Sequence, residues 1–293
     1  MGALRRTLAT LALAAAGIGV AAGAAAQASA PRLFVWETVL DGEEDGEVRW
    51  PVAVAAASAE ELAVADAFGP RLLRFRKDAL AWKLERSVPL PGAPVDLAWD
   101  GTRYVASVRG EGLVAFEGED LLQRRVPLPD GVVPGALAAP ATGGLLVYDV
   151  AGGRVIGPGG GAGVPVAGRV TALAASPGGG FHAAFGAEGE VARYDAASQE
   201  EARWSLPAEG PQPAWPAGLA VEPGGDVLVV DRHGGRVVIL DSGGKVVGLA
   251  SRKGWDAGLL LFPMGAARLP DGRLVVADQG NGRVQVFRRV DAG

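Results

Sequence analysis

The most conspicuous polar pattern in this chain is an aspartate followed by an arginine five positions later. A carboxylate beside a turn can accept the turn's N–H groups and pair with a nearby guanidinium. A functional site usually interrupts a repeat, whereas a structural device recurs in it, so this pattern predicts a structural role rather than a ring of ligands. The pairs are Asp66 and Arg71, Asp149 and Arg154, Asp231 and Arg236, and Asp278 and Arg283.

Residues suited to catalysis or metal binding are few. The chain has two histidines, of which His182 lies in an apolar run and His233 in a predicted turn. A zinc site needs three or four convergent ligands, and neither a nucleophile elbow nor a phosphate-binding loop is present. We therefore predict no catalytic residue, no metal site and no cofactor.

The N-terminal segment has the pattern of a secretory signal. Arg5 and Arg6 precede an uncharged apolar stretch over 8–26, and Ala28 closes a small-residue cleavage motif. We predict a signal peptide over 1–28 and a mature chain over 29–293, periplasmic or extracellular, with no other membrane span. The alternatives are an uncleaved anchor and a twin-arginine signal.

Charge and cysteine content narrow the class of protein. The chain has 293 residues, no cysteine and a formal charge of −5, which becomes −7 when the predicted signal is removed. The fold must be held without disulfides, and an acidic exported protein is not expected to bind nucleic acid. We expect a monomer.

Six repeated units determine the predicted architecture. The first positions of the units lie 36 to 47 residues apart, and an alanine follows each of them by four residues. This period is typical of a four-stranded propeller blade. The units start near Pro51, Pro94, Pro134, Val170, Pro216 and Pro263, and the alanines are Ala55, Ala98, Ala138, Ala174, Ala220 and Ala267.

The last unit ends before it could supply a fourth strand, whereas a lone apolar run over 33–40 precedes the first unit. We predict an all-β, six-bladed propeller in which this N-terminal strand completes the last blade. Such closure removes the open edge of a linear array.

The last two units resemble the NHL repeat. In the sixth unit the resemblance rests on Phe262 and Pro263, Gly272, the run 274–278, Asn281, Arg283 and the pair 286–287, and 215–240 is similar. The resemblance implies a six-bladed NHL-type propeller. It does not imply one function, because this scaffold hosts protein-binding and nucleic-acid-binding modules as well as lyases and lactonases.

Our main functional hypothesis is a scaffold that binds a protein or an envelope component. Recognition would use the turns between second and third strands and the connections between blades. The candidate residues are Phe68, Arg109, Glu111, Arg232, His233, Trp255 and Gln279. We expect Trp50, Trp215 and Phe262, which directly precede unit starts, to pack within the repeat.

Two other hypotheses remain open. One is a metal-dependent propeller lyase or lactonase-like hydrolase, in which residues of the divergent units two and four converge on the central channel: Asp96, Arg109, His182 and Glu190. The largely apolar positions after each unit start argue against a metal in that channel. The other is a purely structural envelope component.

Overall fold

The chain folds into a ring of six β-sheets. The computed structural model describes residues 31, 33–40, 48–79, 81–158 and 160–290, so the predicted signal peptide lies outside the described residues. Each sheet has four antiparallel strands, which confirms the predicted all-β, six-bladed propeller. No helix within these residues is long and apolar enough to span a membrane.

The strands of blades 1 to 5 follow chain order from the central axis outwards. Blade 1 contains β2 (Pro51–Ala56), β3 (Glu61–Asp66), β4 (Arg71–Lys77) and β5 (Trp82–Pro89), and blade 2 contains β6 (Pro94–Trp99), β7 (Tyr104–Val108), β8 (Gly112–Glu117) and β9 (Leu122–Val126). Blade 3 contains β10 (Pro134–Ala138), β11 (Leu146–Asp149), β12 (Arg154–Gly157) and β13 (Gly160–Pro165). Blade 4 contains β14 (Val170–Ala175), β15 (Phe181–Phe185), β16 (Glu190–Tyr194) and β17 (Glu200–Ser205), and blade 5 contains β18 (Pro216–Val221), β19 (Val227–Asp231), β20 (Arg236–Leu240) and β21 (Val246–Leu249).

Blade 6 joins the two ends of the described chain. Its inner strands are β22 (Ala266–Arg268), β23 (Leu274–Asp278) and β24 (Arg283–Arg289), and a short 3-10 helix, Gln279–Asn281, lies between β23 and β24. The outermost strand is β1 (Phe34–Leu40), which pairs antiparallel with β24 from Phe34 opposite Arg289 to Leu40 opposite Val284. This confirms the predicted closure of the ring by an N-terminal strand.

Small residues allow the innermost strands to crowd around the axis. The repeated alanines of blades 1 to 5 are all buried. A Cβ atom added to Gly265 would lie 2.9 Å from the Cα atom of Ala53, so blades 6 and 1 meet there backbone to backbone. Apolar side chains fill the spaces between adjacent blades, as Val191 of blade 4 and Val229 of blade 5 do.

The antiparallel topology gives the ring two distinct ends. We call the end that carries the turns between second and third strands, and the connections between blades, the upper face. The opposite end, with the turns between first and second and between third and fourth strands, is the lower face. The upper face therefore consists of loops, and these loops need contacts that fix them to the strands of the blades.

The four repeated aspartates hold these connections. Each is almost completely buried, with at most 1% exposed. In blade 5, Asp231 accepts hydrogen bonds from the N–H groups of Trp215 (3.0 Å) and Gly234 (3.1 Å) and from Nε of Arg236 (3.0 Å). One carboxylate thus joins the incoming connection, the turn and the third strand.

The same arrangement recurs in three other blades. The backbone donors before the innermost strand are Trp50 to Asp66 (2.9 Å), Val133 to Asp149 (3.1 Å) and Leu261 to Asp278 (2.7 Å). The arginine partners are Arg71 (3.3 Å), Arg154 (3.1 Å) and Arg283 (2.9 Å). The structure therefore places all eight residues of the repeated pattern in contacts that fix the upper face.

Replacement of one of these carboxylates should destabilise the fold. Asp231→Ala removes a buried carboxylate that contacts the 2% exposed Arg236 at 3.0 Å, and it leaves the N–H groups of Trp215 and Gly234 without that acceptor. We expect the free energy of unfolding to fall by about 3 kcal/mol. Urea denaturation measures it, with the exposed Glu60→Ala as the control. Equal small effects of the two substitutions would contradict this role.

Candidate functional site

Four large aromatic side chains are exposed on the upper face. Trp50 (51% exposed) and Phe262 (40%) lie in the connections that enter blades 1 and 6, Phe68 (55%) lies in the turn between β3 and β4, and Trp255 (75%) lies in the connection from blade 5 to blade 6. We call these four residues the aromatic patch. The exposure of Trp50 and Phe262 corrects our expectation that they pack within the repeat.

Cations lie over two rings of the aromatic patch. The guanidinium of Arg49 is 5.0 Å from the ring centroid of Phe68. Arg232 and Lys253 lie 5.5 Å and 5.4 Å from the centroid of Phe262. Such pairs orient both partners, because the cation is attracted to the face of the ring.

Neutral acceptors hold the guanidinium of Arg232. Its Nη1 donates to the carbonyl oxygen of Phe262 (3.0 Å) and to Oε1 of Gln279 (3.1 Å), and within the described residues it has no acidic partner. Partial burial lowers the pKa of Arg232. Lys253 likewise donates to a carbonyl oxygen, that of His233 (3.3 Å). Two cations beside the patch therefore carry charges that no described carboxylate neutralises.

Gln279 has a different role from the one expected of it. Its side chain is 5% exposed, and its Nε2 donates to the carbonyl oxygen of Pro51 (3.4 Å) while its Oε1 accepts from Arg232. It is therefore not a contact residue on the surface. Instead it connects blades 5, 6 and 1 beneath the aromatic patch and positions Arg232.

The remaining predicted contact residues lie beside the aromatic patch or apart from it. His233 is half-buried, with its Nδ1 3.0 Å from the carbonyl oxygen of Pro213 and its ring 5.4 Å from that of Trp215. Arg109 and Glu111 lie in the turn of blade 2, where the Glu111 carboxylate pairs with Arg125. The structure thus places Phe68, Arg232 and Trp255 on the same face as two aromatic residues that the sequence had assigned to packing.

The central channel is narrow and contains two polar side chains that bridge blades. Its cavity has a volume of about 70 Å³. Asp96 accepts hydrogen bonds from the N–H groups of Leu97 (2.8 Å) and Leu137 (2.7 Å), and the hydroxyl of Thr171 donates to the carbonyl oxygen of Pro216 (2.6 Å). Burial raises the pKa of Asp96 to about 6, although both backbone donors oppose the shift.

The four residues of the enzymatic alternative do not converge on this channel. Only Asp96 lines it. Arg109 is exposed on the upper face, and Glu190 pairs with Arg203 (3.3 Å) on the outer strand of blade 4. His182 alternates with Ala183 along β15 and faces the lower end of the space between blades 4 and 5. Among the described residues no three His, Asp or Glu side chains are grouped to hold a metal ion.

His182 is a buried histidine with one hydrogen-bond partner among the described residues. Its ring is 3% exposed, and its Nδ1 lies 3.1 Å from the hydroxyl oxygen of Ser176. Burial, and secondarily the charge of Arg193, lower the pKa of His182 to about 4. The imidazole is therefore neutral at neutral pH.

Comparison with known proteins supports the fold and two of the repeats. The NHL repeat model matches residues 214–240 and 260–287, which confirms the NHL resemblance in blades 5 and 6. No curated protein matches the sequence significantly.

Solved structures of several propellers are similar to this chain. Virginiamycin B lyase from Staphylococcus aureus is 9% identical, with a TM-score of 0.60 over 86% of this chain and 99% of that chain. A gluconolactonase from Xanthomonas campestris is 15% identical, with a TM-score of 0.63 over 87% and 98%. The WD40 β-propeller domain of Doa1 is 12% identical, with a TM-score of 0.58 over 88% and 98%. Identities this low show a shared fold alone.

Asp96 and His182 should have opposite effects on the pH dependence of stability. Between about pH 4 and pH 6 the folded state keeps a proton on Asp96 that the unfolded chain has lost, so this group's contribution falls as pH rises. In the same range the unfolded chain binds a proton on His182 that the folded state excludes, so this contribution falls as pH decreases. Each effect is roughly 3 kcal/mol across the range, and the two nearly cancel.

Single substitutions should separate the two contributions to the pH dependence of the free energy of unfolding. Relative to the unsubstituted protein, Asp96→Asn should become more stable as pH rises, and His182→Gln should become less stable. Urea unfolding at several pH values between 4 and 6.5 measures both changes. For the double variant, the difference in free energy of unfolding from the unsubstituted protein should not change with pH. Parallel curves for all four proteins would contradict the assigned shifts.

Proposed function

We propose that this six-bladed propeller, which carries NHL repeats in its last two blades, is an exported scaffold that binds a protein partner through the aromatic patch. The observation that carries the proposal is the combination of exposed aromatic rings with Arg232, a partly buried cation whose described partners are all neutral. Both features are unfavourable on a surface that contacts only water.

The aromatic patch has the composition of a binding hot spot. Trp255 is 75% exposed although a tryptophan side chain is among the largest apolar groups a protein can bury. Tryptophan and arginine dominate the energetics of protein interfaces, where they occupy the centre and are surrounded by a polar rim. Exposed apolar groups clustered with polar neighbours typically mark interaction sites.

The cations beside the aromatic patch indicate the charge of the partner. Arg232 has already lost part of its hydration, so a carboxylate that reaches it gains a charge-assisted hydrogen bond at little further desolvation. Lys253 lies over the same ring of Phe262 and also has only a neutral acceptor among the described residues. We therefore propose a partner segment in which an acidic side chain lies next to an apolar or aromatic one.

A rigid framework supports this assignment. The connections that carry Trp50 and Phe262 are tied down by Asp66 and Asp278, and Gln279 links Arg232 to the backbone of blade 1. Binding therefore requires little ordering of the scaffold, which preserves affinity. The channel, by contrast, offers an isolated carboxylate, so we favour binding over the lyase or lactonase alternative.

Export is the second part of the proposal. It is supported by the basic start, the apolar stretch over 8–26 and the small residues before Ser29. An exported scaffold would meet its partner in the periplasm or outside the cell.

Site-specific photo-cross-linking should identify the partner. A photoreactive phenylalanine derivative at Trp255 should give a discrete cross-linked protein in the exporting host, whereas the same group at Leu122, 60% exposed on the outer strand of blade 2, should not. Arg232→Gln combined with Phe262→Ala should weaken binding of the captured partner by about tenfold or more.

The matched control for the binding measurement is Arg86→Gln, which removes an exposed arginine that pairs with Asp120 at 2.7 Å. This variant should bind like the unsubstituted protein. Identical cross-links from positions 255 and 122, or equal binding by the patch variant and the control, would overturn the assigned surface.

Signal cleavage can be tested by intact-mass measurement of the exported protein. Cleavage after Ala28 places Ser29 at the mature N-terminus and reduces the mass by that of residues 1–28. A chain that retains residues 1–28 in the membrane fraction would instead establish the anchor.

A further inference from the structure

A cleft with a mixed polar and apolar lining opens on the lower face between blades 4 and 5, on the side opposite the aromatic patch. Its volume is about 470 Å³, within the range of small-molecule sites. Two turns between first and second strands form its rim, with Gly178 and Gly179 from blade 4 and Gly224 and Gly225 from blade 5. His182 and Arg193 also line the cleft.

The cleft exists where the repeat loses an apolar side chain. His182 pairs with Ala174 as Leu228 pairs with Ala220 in blade 5. Leu228 packs against blade 6, where it helps to fill the space between the blades. In blade 4 the corresponding place holds an imidazole.

The imidazole presents its second nitrogen to the cleft. Its Nδ1 is paired with Ser176, whereas its Nε2 has no hydrogen-bond partner among the described residues and is not one of their buried unsatisfied atoms, so it is accessible from the cleft. A ligand in the cleft can exchange a hydrogen bond with this nitrogen, which acts as a donor or an acceptor according to the tautomer.

The charged groups that line the cleft are one guanidinium and two carboxylates. Nε of Arg193 lies 2.9 Å from Oε2 of Glu201, its Nη1 donates to the carbonyl oxygen of Ser242 (2.9 Å), and the guanidinium lies 5.7 Å from the ring centroid of Trp204. Asp195 adds a second carboxylate to the lining, and His182 is neutral. An anionic ligand would therefore meet net repulsion.

The mixture of groups fits hydroxyls. An imidazole, a guanidinium and two carboxylates offer donors and acceptors in close proximity, and a hydroxyl can act as either. The volume accommodates one or two sugar rings.

Gly178 and Gly224, which line the cleft, are not required to be glycine by their backbone conformation. A Cβ atom at Gly178 or Gly224 would meet no atom within 4 Å, and neither residue has a left-handed φ. The corresponding turn of blade 6 has Asp271, whose carboxylate bonds Arg273. A side chain is therefore compatible with this turn, but in blades 4 and 5 it would project at the mouth of the cleft.

We propose that this cleft binds a neutral polyhydroxylated ligand of mono- or disaccharide size, with His182 and Arg193 as the principal hydrogen-bonding residues. The site is distinct from the aromatic patch in both position and chemistry. It does not depend on the proposed protein partner.

The two histidines make NMR a direct test. The side-chain imidazole resonances of His182 and His233 can be followed while glucose, N-acetylglucosamine, maltose and cellobiose are added separately, with gluconate as the anionic comparison. At least one neutral sugar should shift the His182 resonances in a saturable manner and leave those of His233 unchanged. Gluconate should have no effect.

A blocking variant and its control locate the site. Gly224→Leu should abolish the shift or raise the dissociation constant by about tenfold or more, with an unchanged thermal unfolding midpoint. Gly157→Leu is the control, because Gly157 in blade 3 also has no atom within 4 Å of a Cβ and no left-handed φ. It should bind like the unsubstituted protein.

Several results would overturn the proposal. These are the absence of a His182 shift with every neutral sugar, equal shifts at both histidines, a stronger response to gluconate, or full binding by Gly224→Leu. Because the cleft and its blocking variant lie on the lower face and His233 serves only as a reference, failure here would leave the protein-binding proposal unaffected.

Discussion

The buried carboxylate at the end of the second strand is the interaction on which the upper face depends. Asp231 and its three counterparts each join a blade connection, a turn and a third strand, at almost complete burial. Backbone donors and an arginine together offset the desolvation of the charge, which a single partner would not do. The connections can then project large apolar side chains outward, because their backbones are fixed from beneath.

The two blades without this aspartate are held differently. In blade 4 the place is taken by Phe185, over whose ring Arg203 lies at 4.3 Å. In blade 2, Ser107 donates to the carbonyl oxygen of Gly135 in the next blade (2.7 Å). Burial raises the pKa of Asp96 in blade 2 and lowers that of His182 in blade 4.

Periodicity explains how much of the molecule could be predicted from sequence. The recurring alanines, the aspartate and arginine spacing and the lone strand over 33–40 all reflect backbone pairing, which repeats in every blade, so fold and closure followed from them. The direction of a side chain at a blade connection does not follow from spacing. Trp50 and Phe262 share a position with the half-buried Trp215, yet both are exposed, and Gln279 is buried although its turn is on the surface.

The candidate sites arise where the chain departs from its own repeat. Gly178 and Gly224 stand at a turn position that has a side chain in blade 6. His182 stands where blade 5 has Leu228, which fills the space between blades 5 and 6. A propeller blade tolerates such changes because each blade contacts only its neighbours, so a local loss of packing does not spread around the ring. The aromatic patch does not depend on such a departure. Blades 5, 6 and 1 keep the repeated aspartate, and only the side chains exposed by their loops differ. One ring can therefore carry two chemically different surfaces, of which the upper follows the repeat and the lower interrupts it.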